Sequence, residues 1–598
     1  PALAAVRSMD PAGAALRAVE LVGRERICPW PGTPCRADAC ERAAGHYDRR
    51  RGALAELLGA GAGAVLGQDR VETVATAHRV CPAALQHDAA RFADVVIGDY
   101  AYGFDPFARQ RGLLDAEEGG AAVLVDEAHN LAERTRAMHS AVLDRTGLAE
   151  ARAEARRLGA PFAPDLAGLL DALDAAAAED PAALLARLEA VLPVLGRWLA
   201  EAPAGPPLAR FEALRRTLAR FLELGRLASG ERRAAFLWRF DAGAGGRLHL
   251  QCLAPAPVLA GSLEALAGLV LFSATLAPAQ LRRIELGLDE GAGWLGLPNP
   301  YPPERRLLLL ADDLDLRARR REAGLEELLV AITGLVEART GHYLVFLPSF
   351  AFLETVADAL ASRRPDWQIL RQGRAMSDGA RAAFLEDLRR PRAGVTRLAC
   401  AVSGGLFAEG VDLPGDALVG VIVAGLPLPV PDVERCALAD YHGAAGRDLA
   451  FRAPAVTRVL QAAGRLVRSE TDAGIVLIAD ARLREQGYRR LLPNDWNLRH
   501  LGARETGAAA RAFWSRLRSG SEHHAQDEDH LHHRPGHGEL SGPGSALRGG
   551  HERGAPEHVA RGSRLGGAHR ELDPHAEPQG APSGADPAGH PGSGDPHR

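Results

Sequence analysis

At 598 residues the chain is too long for one hydrophobic core, so several domains are expected. It is 47% hydrophobic and 25% charged, which excludes a wholly disordered chain and fits soluble globular domains over most of its length. The formal net charge of −5 neither supports nor excludes a nucleic-acid partner, because such binding depends on local basic grooves. Residues 1–27 show helical periodicity and then a strand-like entry at V-E-L-V. They carry no basic flank or apolar stretch of an export signal, and the first residue is proline, as in a processed chain or a fragment. No apolar run reaches the ~18 residues of a membrane helix, so no spanning segment is expected.

Four of the seven cysteines, Cys28, Cys35, Cys40 and Cys81, fall within residues 28–90, which also hold a helix around 49–58. The other three, Cys252, Cys400 and Cys436, have apolar neighbours and read as small core residues. Sparse cysteine without an export signal points to a cytoplasmic protein, where clustered cysteines suggest metal before disulfide. The gaps between the four are six, four and forty residues, which suits either an iron–sulfur cluster or a four-thiolate zinc site, although the usual C-x-x-C knuckle of zinc is missing.

R-F-A-D-V-V-I-G-D-Y (91–100) reads as a buried strand followed by a turn, and residues 121–125 as another. Residues 132–245 are rich in Ala, Leu, Arg and Glu with apolar spacings of three and four, the pattern of a helical insertion. Strands resume at L-H-L-Q-C and at L-V-L-F-S-A-T-L (269–276), and prolines at 298–303 mark a boundary loop. Beyond about 305, strands at 342–350, 398–402, 418–427 and 474–480 alternate with helices. Short apolar strands between helices predict an α/β fold of two lobes, each a parallel sheet wrapped by helices. From 518 to 598 the aromatic residues, Ile and Met disappear, and the composition predicts a disordered tail. Twelve of the 21 histidines lie there, so metal binding by the tail is conceivable, and a shifted reading frame would give the same composition.

Four motifs carry chemistry. V-L-V-D-E-A-H-N (123–130) presents two acids at a strand's carboxyl end: Asp126 is suited to hold magnesium through water, and Glu127 to orient an attacking water. A surface loop after a strand is the plainer reading. S-A-T, from Ser273 to Thr275, ends another strand and either relays position by hydrogen bonds or caps the next helix. G-G-L-F-A-E-G-V-D-L-P-G (404–415) permits close backbone approach and offers Glu409 and Asp412 as acceptors. Q-A-A-G-R-L-V-R (461–468) sets Arg465 and Arg468 on one helical face, where guanidiniums can reach phosphate oxygens. A solvated basic stripe is the alternative, weakened by Val459, Leu460 and Val467 beside it.

In this order the motifs resemble those of superfamily 2 helicases, specifically the bacterial XPD/DinG-like iron–sulfur group, from about residue 20 to 515. R-I-C-P-W-P-G-T-P-C-R-A-D-A-C-E-R and R-V-C-P resemble that group's cysteine-rich segment; A-D-V-V-I-G-D-Y-A-Y-G-F-D-P, L-F-S-A-T-L-A-P, Y-L-V-F-L-P-S-F, G-L-F-A-E-G-V-D-L-P and V-L-Q-A-A-G-R-L-V-R-S-E-T-D continue the series. The resemblance implies two RecA-like lobes with two insertions in the first. Its boundaries would be 1–27, 91–131 and 251–304 for the first lobe, 28–90 for the iron–sulfur insertion, 132–250 for the helical arch and 305–517 for the second lobe. It further implies a 4Fe-4S cluster on Cys28, Cys35, Cys40 and Cys81. The nucleotide site would use Asp126, Glu127, Arg465 and Arg468 for catalysis and His129, Gly410, Asp412 and Gln461 to hold ATP and Mg2+, with Ser273 and Thr275 coupling the lobes.

One part is missing. Such a site needs a glycine-rich loop whose lysine grips the phosphates, yet all 71 basic residues are arginine, as a coding bias would give, and only 27 residues precede Cys28. The G-A-G-A-G run at 59–63 lacks the following basic and hydroxyl residues and reads as a turn. The expectation is a truncated motor, so that this polypeptide hydrolyses ATP poorly. The function the resemblance implies is an ATP-dependent, 5′-to-3′ helicase of DNA repair acting on single-stranded and forked DNA. A non-hydrolysing single-strand binder is the alternative. An RNA helicase would share D-E-A-H but not the cysteine quartet.

Overall fold

The computed structural model describes residues 2–10, 16–59, 65–115, 120–176, 181–202, 205–390, 394–405, 407, 418–467 and 469–532. A helix, Ala2–Met9, leads to β1 (Ala18–Glu20). β2 (Val65–Leu66) and β3 (Val95–Ile97) flank β1, all parallel, in the order β2–β1–β3. Helices His46–Leu58, Gln68–Ala77 and Pro82–Ala90 bury Leu57, Val71, Val74 and Leu85 in one core with Val19. Gln86 is fully buried there. Its side-chain oxygen accepts the Val22 N–H (3.1 Å) and its amide donates to the Val22 carbonyl (2.7 Å), so the chain leaves β1 with its backbone satisfied.

β4 (Ala122–Val125) follows, and then the insertion. Its helices are Arg145–Arg157, Ala163–Ala176, Pro181–Glu201 and Pro206–Leu227, packed around Phe162, Leu188, Leu195, Phe211 and Phe221. The helical expectation for 132–245 needs one correction. The bundle stands on an antiparallel sheet of β5 (Ala141–Asp144), β6 (Phe236–Asp241) and β7 (Arg247–Cys252), ordered β5–β7–β6. Only β7 was legible. β5 is four residues long and takes its partner, β7, from across the whole bundle, and β6 forms a local hairpin with β7.

β8 (Gly268–Leu271) then returns to pair with β4 in parallel. One side of this pair packs Val125 against Leu131, Leu259 and Leu286. The other side is bare: Leu124 is 69% exposed, its register partner Val270 55%, and Phe272 44%.

The second lobe is a seven-stranded parallel sheet. Its strands are β9 (Arg306–Ala311), β10 (His342–Leu347), β11 (Gln368–Arg371), β12 (Arg397–Val402), β13 (Gly420–Ala424), β14 (Gly474–Ala479) and β15 (Arg499–Leu501). Their order is β11–β12–β10–β13–β14–β9–β15. Every residue of β10, β13 and β14 is buried, as a parallel sheet with helices on both faces requires. Leu344, Phe346, Val421, Val423, Val476 and Ile478 meet helix Ala453–Ala463 on one face. Tyr343, Val345, Leu347, Ile422, Ile475 and Leu477 meet helices Leu325–Glu337 and Phe350–Arg363 on the other. The last helix, Thr506–His532, docks Phe513 and Trp514 into that second face. It runs beyond the expected start of a disordered tail at 518, because extending a helix whose first turns are docked costs little per residue. Residues 533–598 lie outside the described residues, as do 60–63 of the G-A-G-A-G run and residue 64 after it.

Candidate functional site

The β4–β8 register, ending at Val125 opposite Leu271, sets the two loops that follow side by side at the sheet's carboxyl edge. The Phe272 N–H donates to the Val125 carbonyl (3.0 Å), and the Ala128 N–H to the Phe272 carbonyl (3.1 Å). Between them Glu127 adopts φ +47°, a left-handed conformation rare for a residue with a side chain and frequent at functional sites. The Asp126 carboxylate accepts the Glu127 N–H (2.7 Å). The Tyr100 hydroxyl, just past β3, donates to the Asp126 carbonyl (2.5 Å) and lies 3.0 Å from that of Glu127. Tyr100 was not singled out by the sequence. Its only signal was the D-Y-A-Y at the end of a strand parallel to others.

His129 is the hub. Its Nδ1 lies 2.7 Å from Ser273 Oγ, 3.0 Å from Thr275 Oγ1 and 3.2 Å from Glu127 Oε2. Ser273 Oγ donates to Glu127 Oε2 (3.0 Å) and accepts the Thr275 N–H (3.2 Å). From the second lobe, the Gln461 side-chain amide donates to His129 Nε2 (2.9 Å). A donor on Nε2 leaves the ring proton on Nδ1, the nitrogen that faces Glu127. Gln461 ends helix Ala453–Ala463, which the sheet holds through Val456, Val459 and Leu460. Arg465 follows it, close enough for its charge to act on Glu127.

The hydrogen bond from His129 holds the Glu127 carboxyl below the usual carboxylate range; the Ser273 hydroxyl and the charge of Arg465 add to this, and partial burial opposes it. A depressed carboxyl contributes stability above its unfolded pKa and loses it as pH falls through the folded one. Glu127→Gln is therefore expected to lower the melting temperature slightly at neutral pH, with the gap to the parent closing below about pH 4. Melting curves across that range check it. The effect is small because the side chain is more than half exposed.

The four clustered cysteines also converge. Cys28, Cys35 and Cys40 lie in the loop after the short helix Arg24–Ile27, and Cys81 caps helix Pro82–Ala90. None is in a disulfide. Partial burial pushes the Cys35 thiol up; the Arg24 guanidinium opposes this, and the charges of Cys81, Cys28 and Cys40 reinforce it, so all three act on Cys35. Arg24 Nη1 sits 3.2 Å from Cys35 Sγ. The Cys81 N–H donates to Nδ1 of His46 (3.2 Å), a ring that burial pushes toward its neutral form. Among the described residues no three His, Cys, Asp or Glu side chains stand close enough to enclose one ion. A single tetrahedral ion with ~2.3 Å bonds draws its thiolates into contact, whereas an iron–sulfur cluster holds its four farther apart. Four thiols are the donor set of either centre. Arg468, Gly410 and Asp412, with Glu409, lie outside the described residues.

Comparisons with known proteins give a helicase likeness. The family described as DEAD_2 matches residues 35–148, and that described as Helicase C-terminal domain matches residues 332–499. A probable ATP-dependent helicase of Methanocaldococcus jannaschii is 31% identical over 244 residues, 36% of each chain. The ATP-dependent DNA helicase DinG of Photobacterium profundum is 26% identical over 238 residues, 38% of this chain and 33% of that one. The alignments thus span about a third of the length of these two relatives. The solved structure of an XPD helicase superposes with a TM-score of 0.51 at 17% identity, over 82% of this chain and 86% of that one, a likeness of fold. No helix among the described residues is long and apolar enough to cross a membrane.

Proposed function

We propose, from the premise that this chain belongs to the XPD/DinG-like group of superfamily 2 helicases, that it is the body of an ATP-driven DNA helicase. The observation that carries the reading is the bridge from Gln461 to His129. It joins the second lobe to the very residue that contacts Glu127, Ser273 and Thr275, so movement between lobes is felt at the acids. In this reading Asp126 holds Mg2+ through water and Glu127 orients the attacking water. Arg465 and Arg468 neutralise charge on the transferred phosphate, and Gly410 and Asp412 contact the nucleotide. Ser273 and Thr275 pass lobe closure to the strand-binding surface.

Cys28, Cys35, Cys40 and Cys81 would hold a 4Fe-4S cluster, which cross-links an otherwise irregular loop and can exchange single electrons. Single-stranded and forked DNA are the proposed partners, with 5′-to-3′ movement in cytoplasmic DNA repair. Stacked pairs on the cysteine segment suit strand bases: Arg42 lies 5.7 Å from the Trp30 ring and Arg50 5.2 Å from the Tyr47 ring, with Tyr47 77% exposed.

The expectation of an impaired motor rests on the sequence, which holds no lysine for a phosphate-gripping loop. The total lack of lysine also keeps a second reading in view, a single-strand binder that does not hydrolyse ATP. Strand binding and ATP turnover by the purified chain separate the two questions. Single-stranded DNA should bind without nucleotide and lose affinity steeply between about 50 and 200 mM salt, with little turnover. Strand-stimulated hydrolysis at motor rates would refute the impairment. No strand binding at low salt, or a preference for RNA, would refute the DNA helicase reading.

A further inference from the structure

Arg36 sits between two of the clustered cysteines and reaches out of their loop to the helical insertion. Its Nη1 donates to the carbonyls of Leu199 (2.6 Å) and Ala202 (2.9 Å), at the C-terminal end of helix Pro181–Glu201. Its opposite edge is also committed: Nε and Nη2 donate to the two oxygens of Asp38 at 2.9 and 2.7 Å. Asp38 fixes the guanidinium plane, and Nη1 is left to serve the helix. The last carbonyls of a helix have no donor within it and carry the negative end of its dipole, so a cation there acts as a cap.

The loop bearing Arg36 has little order of its own. Residues 28–45 form neither helix nor strand, and none of them is buried. Short turns hold it, with the Arg36 carbonyl accepting the N–H of Ala39 (3.1 Å) and of Cys40 (2.8 Å). A segment without a core takes its order from cross-links. Here the candidate cross-link passes through Cys35, the neighbour of Arg36 in sequence, and through Cys40, its partner in the turn.

We propose that Arg36 is a latch that makes the seating of the helical insertion depend on the state of the four-thiol site. With the thiols tied together, Arg36 is held at the end of helix Pro181–Glu201; with them released, the latch opens and that end of the helix frays. Arg36 is a positioning residue, acting on the insertion through two backbone carbonyls. The dependence on the thiols rests on the iron–sulfur reading, whereas the latch itself rests on the hydrogen bonds.

Hydrogen–deuterium exchange of residues 195–202 tests this in the whole chain, as purified and after iron is stripped with a chelator. Arg36→Ala should keep the visible absorbance of the cluster yet exchange about tenfold faster in that segment, the scale of a lost helix cap. Stripping the parent should produce the same rise, stripping Arg36→Ala should add nothing, and Arg36→Lys should fall between. Unchanged exchange in Arg36→Ala, or additive effects of variant and stripping, would overturn the latch. A purified chain without iron would count against the iron–sulfur reading. If Arg36→Ala still raised exchange in such a chain, the latch would stand but its dependence on the thiols would be overturned.

Discussion

Replacing any one of Cys28, Cys35, Cys40 or Cys81 by serine is expected to strip the chain of iron and of its visible absorbance. The same change at Cys252, Cys400 or Cys436 should leave both intact. The difference follows from where the thiols lie. Burial pushes the Cys252 and Cys400 thiols up to about 12, which keeps them protonated and inert inside their cores. Cys436 is exposed and lies far in sequence from the quartet. The quartet is not buried in a core, and Arg24 Nη1 lies 3.2 Å from Cys35 Sγ. Losing one of four ligands should cost most of the site. Structural metal centres supply on the order of 10 kcal/mol of folding free energy, and residues 28–45 have no core to replace it. Proteolysis is then expected to open first in that loop, while the second lobe stays protected by its own core. Iron analysis and limited proteolysis of the seven single variants provide the check. Full iron in Cys81→Ser, or stoichiometric zinc in place of iron, would contradict the cluster.

Much of the second lobe was legible because its physics is one-dimensional. A strand buried on both faces is apolar along nearly its whole length, and Y-L-V-F-L in β10 and I-V-L-I-A in β14 are such runs. β5 and β6 obey no such rule. Both are short and only partly buried, and the pairing of β5 with β7 across the helical bundle is set by contacts that a scan of local periodicity does not see. The same limit applies to the site. Motif order brought D-E-A-H, S-A-T and Q-A-A-G-R into one expectation, because each ends a strand or helix pointing at a common edge. Which atoms meet there was not legible. His129 as the junction, Tyr100 on the carbonyls of the acids and Arg36 on a distant helix end all depend on three-dimensional register. Arginine is also a weak signal in a chain whose 71 basic residues are all arginine.

In a version of this chain supplied with a Gly-Lys-Thr phosphate loop, Arg465→Ala is expected to lower strand-stimulated ATP turnover by roughly 10³–10⁵-fold, the range known for arginines that act on the transferred phosphate. Strand affinity should stay near the parental value, because Arg465 acts at the lobe junction beside Glu127. Arg465→Lys should recover little, since an ammonium is a point charge without the planar fork that spans two oxygens. Glu127→Gln should match the loss in turnover while nucleotide stays bound, because in the proposed reading the carboxylate orients water and does not grip phosphate. Without nucleotide, the charge of Arg465 is felt at Glu127 as a minor contribution beside the His129 hydrogen bond, and Gln461 donates to His129 one helical turn earlier. A triphosphate entering between Glu127 and Arg465 would carry the charge that Arg465 now shares with the carboxylate. The two side chains would then bracket the reacting phosphate from opposite lobes, and the Gln461 bridge would report closure to Ser273 and Thr275. If Arg465→Ala cost less than about tenfold in turnover, the residue would act only through its charge on Glu127, and the catalytic arginine would have to lie elsewhere on the second lobe.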